Sequence, residues 1–191
     1  MMKASNYSSG RESARDLFVW DPLVRLIHWS LVLTILLNGA VTDDEGKLHE
    51  WVGYAALGLV ALRLLWAFVG PEHARFSAFP PSLLGAIRHT RAVLRGDRVV
   101  HMSHNPLGAL MAYNLWLTVI ILGLTGYMMT TIQFFGVDWV EEAHELAFNW
   151  LILSIALHVA GVAFDSWHSG VNLLRAMVNG RKRIPEGTKM E

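Results

Sequence analysis

Cysteine is absent from the 191-residue chain. Its absence excludes disulfide bonds, iron–sulfur clusters held by thiolates and c-type haem attached through cysteine. Any metal must therefore be held by histidine, methionine or carboxylate. Charged residues are also scarce, at 17% of the chain, and the 16 basic residues balance the 16 acidic ones. With no excess of positive charge, the composition indicates no nucleic-acid partner.

Apolar residues, by contrast, make up 53% of the chain, and the mean hydropathy is +0.34. Each of four apolar segments is close to or longer than the ~20 residues that cross a bilayer; they are residues 26–42, 51–69, 106–137 and 146–164. Lipid accepts only helices or closed barrels, and these segments lack the alternation of a barrel strand. We predict an all-α integral membrane four-helix bundle over residues 19–183, with a flexible cytoplasmic tail at 1–18 and a C-terminal tail at 184–191.

The distribution of basic residues indicates the orientation. Fourteen of the 16 lie before the first span, in the connection between the second and third spans, or after the fourth span, and the outward connections hold only Lys47. Because basic loops stay in the cytoplasm, both termini are expected there. The connection at 82–98 also carries a stripe with helical spacing, formed by Arg88, Arg91, Arg95 and Arg98. It predicts an amphipathic helix on an anionic membrane face or, equally, a solvated basic loop.

Four histidines fall at two depths of the predicted bundle. His28 lies at the inner end of the first span, whereas His49 and His144 lie at the outer ends of the second and fourth spans. His158 follows His144 by fourteen residues, which turns a helix to within about 40° of whole turns and advances it about 21 Å. His144 and His158 therefore share a helix face, and each has a partner at its own depth.

Taken singly, three of these histidines have ordinary explanations. His28, His49 and His144 could be interfacial or solvated residues at helix ends. His158 differs because hydrocarbon side chains surround it in "ILSIALHVAGVAF", and an ionisable group at such depth is a functional candidate. Two depth-matched pairs are what two stacked haems require, since each iron then takes one imidazole from each of two helices.

Several stretches together resemble a known family. They are "DPLVRLIHWS", "LHEWVGYAALGLVALRLLWAFVGPEHARF", "SHNPLGALM" and "AHELAFNWLILSIALHVAGV". In combination they are similar to the bacterial cytochrome b561 family, which is related to the haem b subunit of nickel–iron hydrogenases, and the resemblance covers residues 19–183. It implies a protein of the bacterial inner membrane with two haem b groups, which exchanges electrons between membrane quinone and a redox partner.

Residue by residue, the resemblance implies that His28 and His158 ligate the inner haem and that His49 and His144 ligate the outer one. Arg63 lies fourteen residues after His49, at the expected depth of His158. Its guanidinium could pair with a haem propionate or a quinone oxygen, or could extend to the inner membrane surface.

An iron with two histidine ligands has no open coordination position, which favours one-electron transfer. Two other classes remain: a self-sufficient superoxide-oxidising quinone reductase, and a histidine-lined metal-ion carrier. A haem b anchor subunit of a hydrogenase-like complex and a homodimer are also left open. His101 and His104 are further candidates near a quinone site.

The predicted outward connections are strongly acidic. They contain one basic residue, Lys47, and eight carboxylates, which are Asp43, Asp44, Glu45, Glu50, Asp138, Glu141, Glu142 and Glu145. Acidic residues cross membranes freely, so topology explains part of this excess. The same cluster would steer a basic redox protein to the outer haem, and a soluble periplasmic c-type cytochrome is the expected partner.

The orientation can be tested with reporter fusions. Fusions after Gly46 and Gly136 are expected to report the periplasm, and one after Gly96 the cytoplasm, because the basic residues concentrate on the side of Gly96. The measurement is the activity of reporters that function on only one side of the membrane. The reverse pattern would contradict the orientation.

Overall fold

The computed structural model describes residues 15–44, 46–185 and 189–190. Within them the helices are α1 (Pro22–Ala40), α2 (Lys47–Val69), α3 (Leu83–Leu94), α4 (Pro106–Met129), α5 (Asp138–Ser169) and α6 (Leu173–Asn179). Short 3-10 turns at Glu72–Ala74 and Phe76–Ala78 follow α2. Helices α1, α2, α4 and α5 are long and apolar enough to cross a membrane. The prediction of an all-α membrane four-helix bundle is confirmed.

Two of the spanning helices begin at side-chain caps. The Asp21 carboxylate accepts the backbone N–H groups of Leu23 and Val24, and Pro22 occupies the first position of α1. At α4 the Asn105 side chain accepts the Gly108 N–H at 2.7 Å, with proline again in the first turn. Proline suits this position because a backbone N–H in the first turn has no acceptor within the helix. The N–H that proline lacks therefore costs no hydrogen bond.

The residues at which α4 ends and α5 begins differ from the ends of the corresponding apolar segments. Helix α4 ends at Met129, and the hydroxyl groups of Thr130 and Thr131 donate to carbonyls of its last turn. Helix α5 begins at Asp138, before its apolar segment, so that Asp138 and Glu141 lie in its first turn. Carboxylates are favourable there because they face the positive end of the helix dipole.

The spanning helices pack unevenly. Helix α4 packs closely on α5 and α2, and α1 packs on α2. The apolar core between them includes Ala56, Val60, Val119 and Leu151. Within the described residues, the backbone of α5 makes no comparably close approach to α1 or α2. Side chains bridge the wider separation between α5 and these two helices.

A cap closes the end of the bundle where the chain enters and leaves it; we define it as β1 (Arg15–Phe18), α6 and β3 (Arg181–Ile184). Strands β1 and β3 pair antiparallel, with Arg15 opposite Ile184. A smaller parallel pair joins β2 (Val99–Val100) to β4 (Lys189–Met190). Neither pair was predicted from the sequence, which assigned 15–18 and 184–191 to tails; residues 1–14 lie outside the described residues.

Lys182 fastens the cap to the segment before α4. Its ammonium group donates to three successive carbonyls, those of His101 (3.0 Å), Met102 (3.0 Å) and Ser103 (2.7 Å). It also lies 5.6 Å from the centre of the Trp20 ring. Burial lowers the pKa of Lys182 to about 8, against the opposing effect of Asp165. The side chain is therefore mostly charged at neutral pH, with all three donors engaged.

Gly180 allows the turn from α6 into β3. Its φ is +83°, a conformation that L residues with a side chain rarely adopt. A Cβ atom at this position would lie 2.7 Å from the Trp20 carbonyl oxygen. Glycine is required on both counts, because the turn comes into contact here with the backbone between β1 and α1.

Candidate functional site

The four histidines lie in two pairs, each formed across two helices. His28 of α1 faces His158 of α5, with ring centres 6.5 Å apart. His49 of α2 faces His144 of α5, with ring centres 6.4 Å apart. All four imidazoles are half-buried. The structure thus brings together the histidines that were predicted to lie at the same depth. We call His28 and His158 the inner pair, and His49 and His144 the outer pair.

These separations can be compared with the geometry of a shared metal ion. A metal–imidazole bond is about 2 Å long and the ring centre lies about 1 Å further away, so two opposed ligands have centres roughly 6 Å apart. Both pairs fit this spacing. No group of three or more His, Asp or Glu residues in the described part of the chain could hold a metal ion. The four histidines therefore occur as two pairs and not as one cluster of ligands.

Both histidines of the outer pair lie within hydrogen-bond distance of threonine. The Nδ1 atom of His144 is 2.9 Å from the Thr125 hydroxyl, and that of His49 is 3.2 Å from the Thr42 hydroxyl. Each hydroxyl can donate to its own helix, Thr125 to the Ile121 carbonyl and Thr42 to the Asn38 carbonyl. Each can therefore accept an Nδ1–H, which leaves Nε2 as the nitrogen for a metal.

Gly126 lies beside the outer pair. A Cβ atom at this position would lie 3.3 Å from Cε1 of His144, which is tighter than an ordinary contact. A larger residue would press on the imidazole, so the glycine allows α4 to approach this ring. Of the glycines in the four apolar segments, it is the one whose added Cβ would meet a candidate ligand.

The inner pair lies towards the cap end of the bundle. At the start of α1, the Arg25 side chain donates to the Val178 carbonyl at 2.6 Å, and the Trp29 indole lies 3.4 Å from the Met177 carbonyl oxygen. Trp29 also meets the His28 ring edge to face, with ring centres 5.4 Å apart. The cap thus holds the helix turn that carries His28.

Arg63 is buried, with 4% of its surface exposed. Its Nη2 donates to the Ala74 carbonyl at 3.1 Å, whereas Nη1 has no hydrogen-bond partner among the described residues. The guanidinium also lies 5.7 Å from the Phe79 ring centre and 5.1 Å from that of Trp116. A buried cation with an unpaired donor is costly without an anion or acceptor. This group is therefore well suited to bind one.

His104 lies between two aromatic rings, 4.9 Å from Trp20 and 4.8 Å from Phe79. Burial, followed by the charges of Lys182 and Arg63, lowers the pKa of His104 to about 3. The imidazole is therefore neutral at physiological pH. Weaker electrostatic effects of His158 and His28 on the same group place it on the side of the inner pair.

The two threonines that contact the outer pair were not predicted from the sequence. Thr42 lies seven residues before His49, and a polar residue so close to a candidate ligand was a usable signal. Thr125 reaches His144 from another helix, and its role depends on how α4 is rotated about its own axis. Because α4 is apolar around its whole circumference, its sequence did not indicate which face points inward.

Four membrane-spanning helices with histidines paired across them are typical of b-type membrane cytochromes. In agreement, the sequence model of the family described as prokaryotic cytochrome b561 matches residues 19–180, and the chain belongs to this family. No curated protein and no solved structure matches it. Family membership confirms the predicted resemblance and identifies a multi-pass membrane protein that binds haem b and transfers electrons.

The threonine contacts can be tested by Thr125→Val and Thr42→Val. An Nδ1–H bonded to a hydroxyl makes imidazole a stronger donor to oxidised iron, so losing this bond should raise the midpoint potential of a haem ligated by the outer pair. We expect a rise of up to about 60 mV, equivalent to about 1.4 kcal/mol. The measurement is a spectroscopic redox titration.

Thr118→Val is the matched control, because Thr118 donates to the Asn114 carbonyl of its own helix. It should leave both potentials unchanged. Equal shifts in Thr125→Val and Thr118→Val would contradict a specific role for the histidine contact.

Proposed function

We propose that the protein is a di-haem b cytochrome in which the inner pair, His28 and His158, ligates one haem iron and the outer pair, His49 and His144, ligates the other. The observation that carries the proposal is the separation of the ring centres, 6.5 Å and 6.4 Å, across facing helices. The wider spacing of α5 from α1 and α2, compared with its close packing on α4, supports it.

The bound haems would supply one-electron chemistry, and the chain determines where that chemistry takes place. Two histidines holding each iron would leave no coordination site for oxygen or a hydrolytic water. His158 follows His144 by fourteen positions, which separates the two levels by about 21 Å along α5. Apolar side chains, including those of Val60, Val119 and Leu151, fill the core and exclude water. Electrons would thus cross the membrane through two fixed sites.

We propose that Arg63 binds a propionate of the inner haem. Arg63 is buried and its Nη1 has no partner among the residues that the structure describes, so an acceptor there would stabilise it. A carboxylate provides both the acceptor and a full negative charge. A quinone oxygen is the neutral alternative and would compensate the buried charge less well. The Ala74 carbonyl and the rings of Phe79 and Trp116 hold the guanidinium in place.

In the proposed orientation the cap faces the cytoplasm of a bacterium and the outer pair lies near the periplasm, as the basic residues indicate. Electrons would pass from membrane quinol through the haems to a soluble periplasmic c-type cytochrome. The acidic residues near the outer pair support this partner, since Asp43, Asp44, Glu50, Asp138, Glu141, Glu142 and Glu145 are all exposed. Glu45 lies outside the described residues.

The ligand pairing can be tested with His158→Ala and His49→Ala. Each substitution removes one of the two ligands of a single proposed haem, so each should remove a different spectral component and lower the haem content from about two to about one per chain. The measurement is a haem-to-protein ratio with reduced-minus-oxidised spectra. Loss of the same component in both variants would refute the pairing, and a wild-type ratio near one would refute the second haem.

The partner surface can be tested by kinetics. In Asp43→Asn/Glu141→Gln/Glu142→Gln, the rate of haem oxidation by a basic c-type cytochrome should fall severalfold at low salt, because steering by exposed charges is lost. The wild-type rate should fall towards the variant's rate at 0.1 M salt and above, where charges are screened over about 10 Å. The measurement is stopped-flow absorbance. Asp44 is left unchanged because its carboxylate lies 4.0 Å from Nδ1 of His49.

A matched control neutralises three exposed carboxylates at the cap end, in Asp16→Asn/Glu72→Gln/Asp97→Asn. It changes the net charge by as much as the outer triple variant does. The rate of haem oxidation and its salt dependence should remain those of wild type. If neither salt nor the outer triple variant alters the rate, the acidic face is a by-product of topology. A permanently bound membrane subunit, as in hydrogenase-like complexes, would then be the better proposal.

A further inference from the structure

Helix α3 forms one wall of a groove on the surface of the bundle. The groove has a volume of about 420 Å³ and lies between α3 and the first turns of α4. Its lining is almost wholly apolar and includes Leu83, Ala86, Ile87, Leu107 and Leu110. This volume is in the range of small-molecule sites in proteins. The groove therefore has room for part of a hydrocarbon chain.

Apolar side chains of α3 are also exposed, including Leu83 and Ile87 of the groove lining. Leu83 is 75% exposed, Ile87 50% and Leu94 81%. So much exposed hydrocarbon on one short helix is typical of a segment in the membrane interface. Because α3 packs on the spanning helix α4, its apolar side can lie at the level of the lipid acyl chains.

Basic residues flank the apolar side of α3. Arg88, Arg91, Arg95 and Arg98 are all exposed, and Arg91 itself lines the groove. The ion pair that the described residues form within 4.0 Å is that of His49 and Asp44, at the other end of the bundle. No described carboxylate therefore lies within 4.0 Å of these arginines. They offer a positively charged rim to an anionic group.

We propose that this groove binds one anionic phospholipid, with an acyl chain along the apolar lining and the phosphate on Arg91. The two parts of the ligand match the two parts of the site, since hydrocarbon meets leucine and isoleucine while phosphate oxygens accept from guanidinium. Thr90 lines the groove beside Arg91; its hydroxyl donates to the Ala86 carbonyl, and its oxygen can accept a further hydrogen bond. The lipid would anchor α3 against α4 independently of the haems.

The test is native mass spectrometry of the purified, delipidated holoprotein in nonionic detergent. Phosphatidylglycerol or phosphatidylcholine with the same acyl chains is added at equal concentration. We expect wild type to retain phosphatidylglycerol preferentially, and Arg91→Gln to lower its occupancy about fivefold, as expected for the loss of one charged contact at a lipid headgroup. Thr90→Trp should abolish retention of both lipids by filling the groove.

Arg175→Gln is the control, because Arg175 is an exposed arginine on α6 at the same end of the bundle. It should retain phosphatidylglycerol as wild type does. Equal retention of both lipids by wild type, or equal losses in Arg91→Gln and Arg175→Gln, would overturn the proposal. A protein dimer that disappears in Thr90→Trp would assign the groove to a second copy of the chain and would also overturn it.

Discussion

Helix α5 has to present two imidazoles on one face at two depths, and the arrangement of the other helices follows from that constraint. A neighbouring side of α5 is held by α4, which carries no histidine and whose Thr125 reaches His144 from there. Midway between His144 and His158, the Asn114 side chain donates to the Ser154 hydroxyl at 2.8 Å and accepts from the Trp150 indole at 3.0 Å. Polar groups buried in lipid need such partners, so these bonds join α4 to α5. The face with the histidines is left for α1 and α2.

The two histidine pairs have similar geometry but different surroundings. Threonine hydroxyls and exposed carboxylates surround the outer pair, whereas the buried cations Arg63 and Lys182 lie on the side of the inner pair. Hydrogen bonds to the ligands and local charge are two means by which a protein sets the potential of a haem. Two proposed haems with the same ligands could therefore differ in potential, as directional electron transfer between them requires.

The features that could be predicted from the sequence are those that depend on a single helix. Hydropathy identified the four spans, and helical periodicity placed His144 and His158 on one face of α5. The features that could not be predicted depend on how distant segments meet. Strand β1 pairs with β3 from the far end of the chain, and Thr125 meets His144 through the rotation of α4. The acidic cluster, which the sequence placed in the outward connections, lies partly in the first turns of α5. Carboxylates are favourable there because they face the positive end of the helix dipole.

The cap shows how a part of the chain outside the membrane shapes a site within it. The irregular segment before α4 has carbonyl groups that no helix satisfies, and the three donors of Lys182 match three of them. Lys182 also lies against Trp20, and Trp20 in turn packs on His104. Because His104 and Arg63 both contact Phe79, the chain of contacts runs from the cap to the Arg63 guanidinium. Strand β3, which carries none of the candidate ligands, is thus connected by side-chain contacts to the surroundings of Arg63.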